Sequence, residues 1–210
     1  ESNLATTAGT CAVMGTASTM ACLAEVLGFG LAGSATAPAV HADRLRIAEE
    51  TGRIAARLAT DPKAVRPTDL VTERSLDNAM RILLALSGST NALVHLAAIA
   101  GRAGIRLSLR RLNELAETTP VLVNLKPVGS NYMEDLHAAG GMPALMWELR
   151  HLLNLDCPTV TGETLGDRLS GFDPGIIDHS VIRRFDEPIE PKGGLIALFG
   201  NLAPDGAILK

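Results

Sequence analysis

The chain has 210 residues and a formal net charge of −4, with 47% hydrophobic residues but only 3% aromatic ones. The apolar share supports a sizeable core and excludes a disordered chain. The acidic balance, the lack of a basic run and the scarcity of stacking side chains argue against a nucleic-acid partner. No apolar run reaches the roughly 18 residues needed to cross a bilayer, so no membrane partner is expected.

The first stretch with chemical character is Gly9 to Met20, which sets Cys11 on a small-residue turn ahead of a helix. Thr16, Ser18 and Thr19 are placed to cap its first turn. A cysteine before a helix N-terminus is favoured as a thiolate by the unpaired N–H groups and the helix dipole. Taken locally, an ordinary capped turn with a small buried cysteine is the simpler reading. The helix is expected over Met14 to Leu27, ended by Gly28 and Gly30. A small-residue loop follows to Val40.

His41 to Ala59 reads as a strongly amphipathic helix, with Leu45, Ala48, Ile54, Ala55 and Leu58 on its apolar stripe and His41 as a surface or cap histidine. Ser75 is the expected N-cap of a helix over Leu76 to Leu86. Ser87 to Asn91 is a second polar, glycine-bearing turn feeding a helix, here Ala92 to Ala103. Such a turn either caps its helix through Ser89 or Thr90 or receives an anionic group on free N–H groups. His95 lies inside that apolar helix and reads as a hydrogen-bonded core histidine.

Ser108 caps a short helix to Glu117. Val121 to Leu125 is a β-branched, apolar run bounded by prolines and reads as a buried strand. Met133-Glu134-Asp135-Leu136-His137 brings two acids and a histidine together at no zinc-binding spacing, and reads as a helix start or, as in clefts of this kind, as polar groups of a site. Helices are expected over Ala144 to Leu153 and, capped by Thr161-Gly162-Glu163-Thr164, through Leu169. Val181 to Arg183 reads as a short strand inside the connector, Gly194 to Gly200 as a strand and Ala207 to Lys210 as the start of another. The pattern predicts an α/β fold with helix-rich layers around a mainly parallel sheet over residues 1–187, and connector and first strands of a β-rich domain over 188–210.

Cys11, Cys22 and Cys157 are odd in number and far apart, which gives neither zinc spacing nor a disulfide framework. A reducing, cytoplasmic compartment is expected. The chain opens at Glu1 in mid-pattern and stops at Lys210 straight after a strand and turn, as a piece of a longer protein or a processed chain would.

Five stretches in order resemble the dihydroxy-acid and sugar-acid dehydratase family, which includes phosphogluconate dehydratase. They are Cys11 to Met20, Leu86 to Ala92, Gly140 to Pro143, Thr159 to Gly162 with Thr164 to Gly166, and Gly200 to Ala207. The resemblance implies a hydro-lyase that removes water from a 2,3-dihydroxy acid to give a 2-keto acid. It implies an iron–sulfur cluster, 2Fe-2S rather than 4Fe-4S, held by three cysteines, with Cys11 as the third ligand and Cys22 and Cys157 structural. Three thiolates leave an iron position open as a Lewis acid for the departing 3-hydroxyl, beside a magnesium ion that grips the carboxylate and 2-hydroxyl.

Ser89, Thr90 and Asn91 are implied to face the substrate. The family's remaining cluster cysteines, its magnesium ligands and its base serine match no position between Glu1 and Lys210, so no catalytic residue is assigned and the chain alone is expected to be inactive. Gly15-Thr16-Ala17-Ser18 leans toward sugar-acid substrates such as aldonates, with the dihydroxy-acid dehydratase of branched-chain amino acid synthesis as the alternative. A homo-oligomer, dimer or tetramer, is implied. The competing reading from another class is a non-catalytic anion-binding or subunit-interface segment.

Overall fold

A computed structural model describes residues 12–210, so Cys11 lies outside the described residues. The body is helical. Helix α1 (Thr16–Val26), α2 (Ala42–Thr60), α3 (Pro67–Leu70), α4 (Glu73–Ala85), α5 (Asn91–Arg102) and α6 (Leu109–Ala116) come first. Then follow α7 (Met133–Ala138), α8 (Gly141–Leu149) and α9 (Leu165–Ser170), and a hairpin of β1 (Ile196–Gly200) and β2 (Ala203–Leu209). No described helix is long and apolar enough to cross a membrane.

Helix α4 is the centre. Thr72 caps it by accepting the Ser75 N–H, while Ser75 donates its hydroxyl to the Leu70 carbonyl. Ser75, expected as the cap itself, is therefore one turn inside the helix and buried. Leu76, Ala79, Met80, Ile82, Leu83 and Leu84 pack against α1, α5 and α6. Each fully buried leucine or isoleucine contributes about 1.5–3 kcal/mol of apolar transfer. Leu23 and Val26 of α1 and Leu96 and Ala100 of α5 complete this core.

Three further expectations fail, each for a physical reason. The mainly parallel sheet is absent from the described residues, whose one sheet is the antiparallel β1–β2 pair. Val121 to Leu125 is extended and largely buried as expected, but it makes only isolated bridges, antiparallel to Glu190 and Ile182 and parallel to Asn131. Its Leu122 and Val123 N–H groups both donate to the Ala85 carbonyl at the end of α4. Parallel pairing needs a strand–helix–strand crossover, and here helix follows helix with a single apolar extended run.

His95 is exposed rather than buried. Ala92, Leu93, Leu96 and Ala100 take the inward stripe of α5, which leaves His95 outside beside Val94. Helix α2 forms over the expected residues, yet Leu45 is 76% exposed and Ile54 alone is buried. The helix lies at the edge of the body, where Ile47 and Ile54 face Leu31 and Ala32 across a shallow groove. The hairpin is fixed to α6 by Asn113, whose amide accepts the Ala197 N–H and donates to the Ala197 carbonyl, both at 2.8 Å.

Candidate functional site

The two polar turns singled out in the sequence meet in space. Gly15 is the N-cap of α1, and its N–H donates to Ser18 Oγ at 3.0 Å. The other two hydroxyls of this turn reach across to the start of α5. Thr16 Oγ1 lies 3.0 Å from Ser89 Oγ and accepts from Asn91 Nδ2 at 3.1 Å. Thr19 Oγ1 accepts the Ser89 N–H at 3.1 Å. Ser89 Oγ also accepts the Asn91 N–H at 3.3 Å, so Ser89 caps α5 as well as joining it to α1.

The turn that delivers these groups is tightly built. Ser87 takes a left-handed backbone conformation with φ 47°, uncommon for a residue with a side chain. Gly88 permits the close approach of the helices: a Cβ there would sit 2.8 Å from Thr19 Cγ2 and 2.9 Å from Leu83 Cδ1. Ser89 is half-buried, while Thr90 and Asn91 are exposed. Thr90 makes no side-chain cap bond. The structure thus brings Ser89 and Asn91 into one polar cluster with Thr16 and leaves Thr90 at its rim. The sequence points to Thr16 as a cap and as part of the Gly15-Thr16-Ala17-Ser18 turn, but not as the centre of this cluster. Its position beside Ser18 and Thr19 in a helix start was the available signal.

The described cysteines are unsuited to hold a cluster. Cys22 is fully buried in α1, and burial followed by the nearby Glu25 pushes its thiol far above the ordinary range. Burial also raises the Cys157 thiol, ahead of the charge of Asp156. At both cysteines burial disfavours the thiolate form that metal ligation needs. The Thr16–Ser89–Asn91 cluster offers hydroxyls and an amide, with no carboxylate among its described bonds, so it lacks the donors of a magnesium site. Neither these two cysteines nor the hydroxyl–amide cluster therefore supplies the ligands of an iron–sulfur or magnesium group. A different donor set, His41, Asp43 and His137, is the one described group with metal-ligating atoms close together.

Glu25 is the buried acid nearest to this region in the chain. Its carboxylate accepts the N–H groups of Gly33 at 2.7 Å and Ala35 at 2.8 Å, which fixes the loop after α1. Burial pushes this carboxyl up to about 7, against the lowering effect of those bonds and of Arg168. Its role is to shape the loop.

A family model described as the N-terminal part of dihydroxy-acid/6-phosphogluconate dehydratase matches residues 1–168. The protein named dihydroxy-acid dehydratase of Acetivibrio thermocellus is 44% identical over 204 residues, covering 96% of this chain and 36% of the relative. That of Caldicellulosiruptor bescii is 43% identical over 212 residues, covering 100% of this chain and 38% of the relative. That of Methanococcoides burtonii is 45% identical over 206 residues, covering 97% and 37%. The chain spans little more than a third of the length of these curated relatives.

Proposed function

The chain belongs to the dihydroxy-acid/6-phosphogluconate dehydratase family, and from that premise we propose that the whole protein removes water from a 2,3-dihydroxy acid to give a 2-keto acid. The observation that carries this reading is the convergence of two of the five motif stretches. Residues far apart in the sequence, Thr16 on α1 and Ser89 with Asn91 on α5, are joined by hydrogen bonds at one accessible place. Two helix N-termini open there, each bearing partial positive charge that favours a carboxylate. Ser89, Thr90 and Asn91 are proposed as substrate-facing groups on this ground.

The sugar-acid preference read from Gly15-Thr16-Ala17-Ser18 is less well supported than its alternative. The relatives compared above carry the name dihydroxy-acid dehydratase, which favours a branched 2,3-dihydroxy acid of amino acid synthesis over an aldonate. Cys11 is proposed as one thiolate ligand of an iron–sulfur cluster in the whole protein. When bound, that cluster supplies a Lewis acid for the departing hydroxyl.

The test is 2-keto acid formation by the full-length protein from a branched 2,3-dihydroxy acid and from an aldonate, with iron and sulfide analysis of wild type and Cys11→Ser. Keto acid from the branched substrate, with iron and activity both lost in Cys11→Ser, is the expected result. Faster turnover of the aldonate restores the sugar-acid reading. Full activity and iron in Cys11→Ser removes Cys11 from the site.

A further inference from the structure

We propose that His41, Asp43 and His137 bind a divalent transition-metal ion of the zinc class, joining the start of α2 to α7. Each of the three offers one ligating atom, and these atoms lie within 4.8 Å of one another. His41 Nδ1 is 3.2 Å and His137 Nε2 3.7 Å from the same carboxylate oxygen, Asp43 Oδ2. Two donors on a tetrahedral ion with bonds of about 2.0–2.1 Å stand about 3.3–3.4 Å apart. The spacing therefore needs only small side-chain adjustments to close on an ion. Two imidazoles and a carboxylate suit zinc and its borderline neighbours, whereas magnesium and calcium take oxygen ligands.

The surroundings divide the labour as a metal site requires. Arg46 pairs with Asp43 Oδ1, which leaves Oδ2 to the imidazoles. His137 Nδ1 lies 3.3 Å from Thr36 Oγ1. When this ring N–H donates to the threonine oxygen, the Nε2 lone pair is turned toward Asp43, the outer-partner arrangement that orients ligating histidines. His41 Nδ1 accepts the Asp43 N–H at 3.3 Å as the α2 N-cap, a long bond that an ion would replace.

Thr36 is itself held firmly. Glu25 fixes the loop at Gly33 and Ala35, and Arg44 donates to the carbonyls of Ser34 and Ala37. Gly141 comes so near that a Cβ on it would lie 2.6 Å from Thr36 Oγ1. The side chains of His41 and Asp43 are 50% and 40% exposed and that of His137 22%, so an ion can enter and keep water in a remaining position.

The ion would act as a clamp. The start of α2 makes few apolar contacts, while α7 is anchored by Leu136 and by its first N–H, that of Met133, which donates to the Ala12 carbonyl at 2.8 Å. Binding would tether the loosely packed helix to the firmly packed one.

Equilibrium dialysis of the untagged full-length protein against zinc, followed by zinc and iron analysis, tests the assignment. The wild type is expected to hold about one more zinc per chain than a His41→Ala/His137→Ala double variant, at equal iron content. Thr36→Val should weaken that zinc by roughly tenfold or more, and His95→Ala, on the exposed side of α5, should leave it unchanged. If the double variant fails to fold, the single His41→Ala variant, altered at an exposed position, takes its place in the comparison. Equal zinc in the wild type and the histidine variant, or loss of the zinc in His95→Ala, overturns the proposal.

Discussion

Helix α4 buries nine of its 13 residues, whereas α2, longer at 19 residues, buries Ile54 alone. Both carry apolar side chains at helical spacing, and both start on a side-chain cap, Thr72 in one and His41 in the other. The difference is what lies opposite. Helix α4 is enclosed by α1, α5 and α6, and burial supplies its stability. Helix α2 relies on local terms: the His41 cap, and the Arg53 pairs with Glu49 and Glu50, each such pair worth about 0.2–0.5 kcal/mol. Periodicity shows that a helix has an apolar stripe; it does not show which neighbour covers it.

The contrast can be broken most forcefully at Leu83, which is fully buried in α4. Leu83→Ala should cost about 2–5 kcal/mol, read as a shift in the urea midpoint. An effect below about 1 kcal/mol would mean that α4 is not the centre of the core. Next in size is Gly88→Ala, whose methyl group must displace Thr19 and Leu83. About 1–3 kcal/mol is expected from such overpacking, together with weaker protection of the Ser89 N–H in hydrogen exchange as its bond to Thr19 is strained.

Glu25 sharpens the comparison because it belongs to the core but shapes the loop leading to α2. Its folded-state carboxyl is pushed up to about 7 from an ordinary 4.5. The folded protein thus holds this proton more tightly than the unfolded chain does. The contribution is fully present below about pH 4.5 and is lost as pH rises through about 7. Thermal midpoints across that window should fall with rising pH more steeply in the wild type than in Glu25→Gln; parallel slopes would refute the assignment. The smallest effect is expected on α2, where Leu45→Ala should change stability by less than about 0.5 kcal/mol, since Leu45 already faces water.

Much of the local structure was legible. Ser108 and Thr164 cap their helices as their positions before apolar runs predict, each accepting an N–H three residues on. The run Val121 to Leu125 is extended and buried. What the sequence withheld is long-range. His95 reads as a core residue from its apolar helix but faces water, and two of the bridge partners of Val121 to Leu125, Ile182 and Glu190, lie about sixty to seventy residues later in the chain. The candidate site divides in the same way. Ser89, Thr90 and Asn91 came forward together through the family resemblance, whereas the bonds from Thr16 to Ser89 and Asn91 exist because α1 and α5 pack side by side. His41 and His137 each looked like a separate surface or helix-start residue until the fold placed Asp43 between them.

The bonds at the α1–α5 junction leave a definite remainder. Thr16 Oγ1 accepts a hydrogen from the Asn91 side chain, and Ser89 Oγ accepts one from the Asn91 backbone. Between the two hydroxyls there is room for one hydrogen, supplied by either oxygen. Two hydroxyls bring two hydrogens, so one is always left over, on Thr16 when Ser89 donates and on Ser89 when Thr16 does. It has no acceptor among the described residues. The count of donors and acceptors at this junction is therefore the same whichever hydroxyl donates to the other: one O–H stays outside the described bonds.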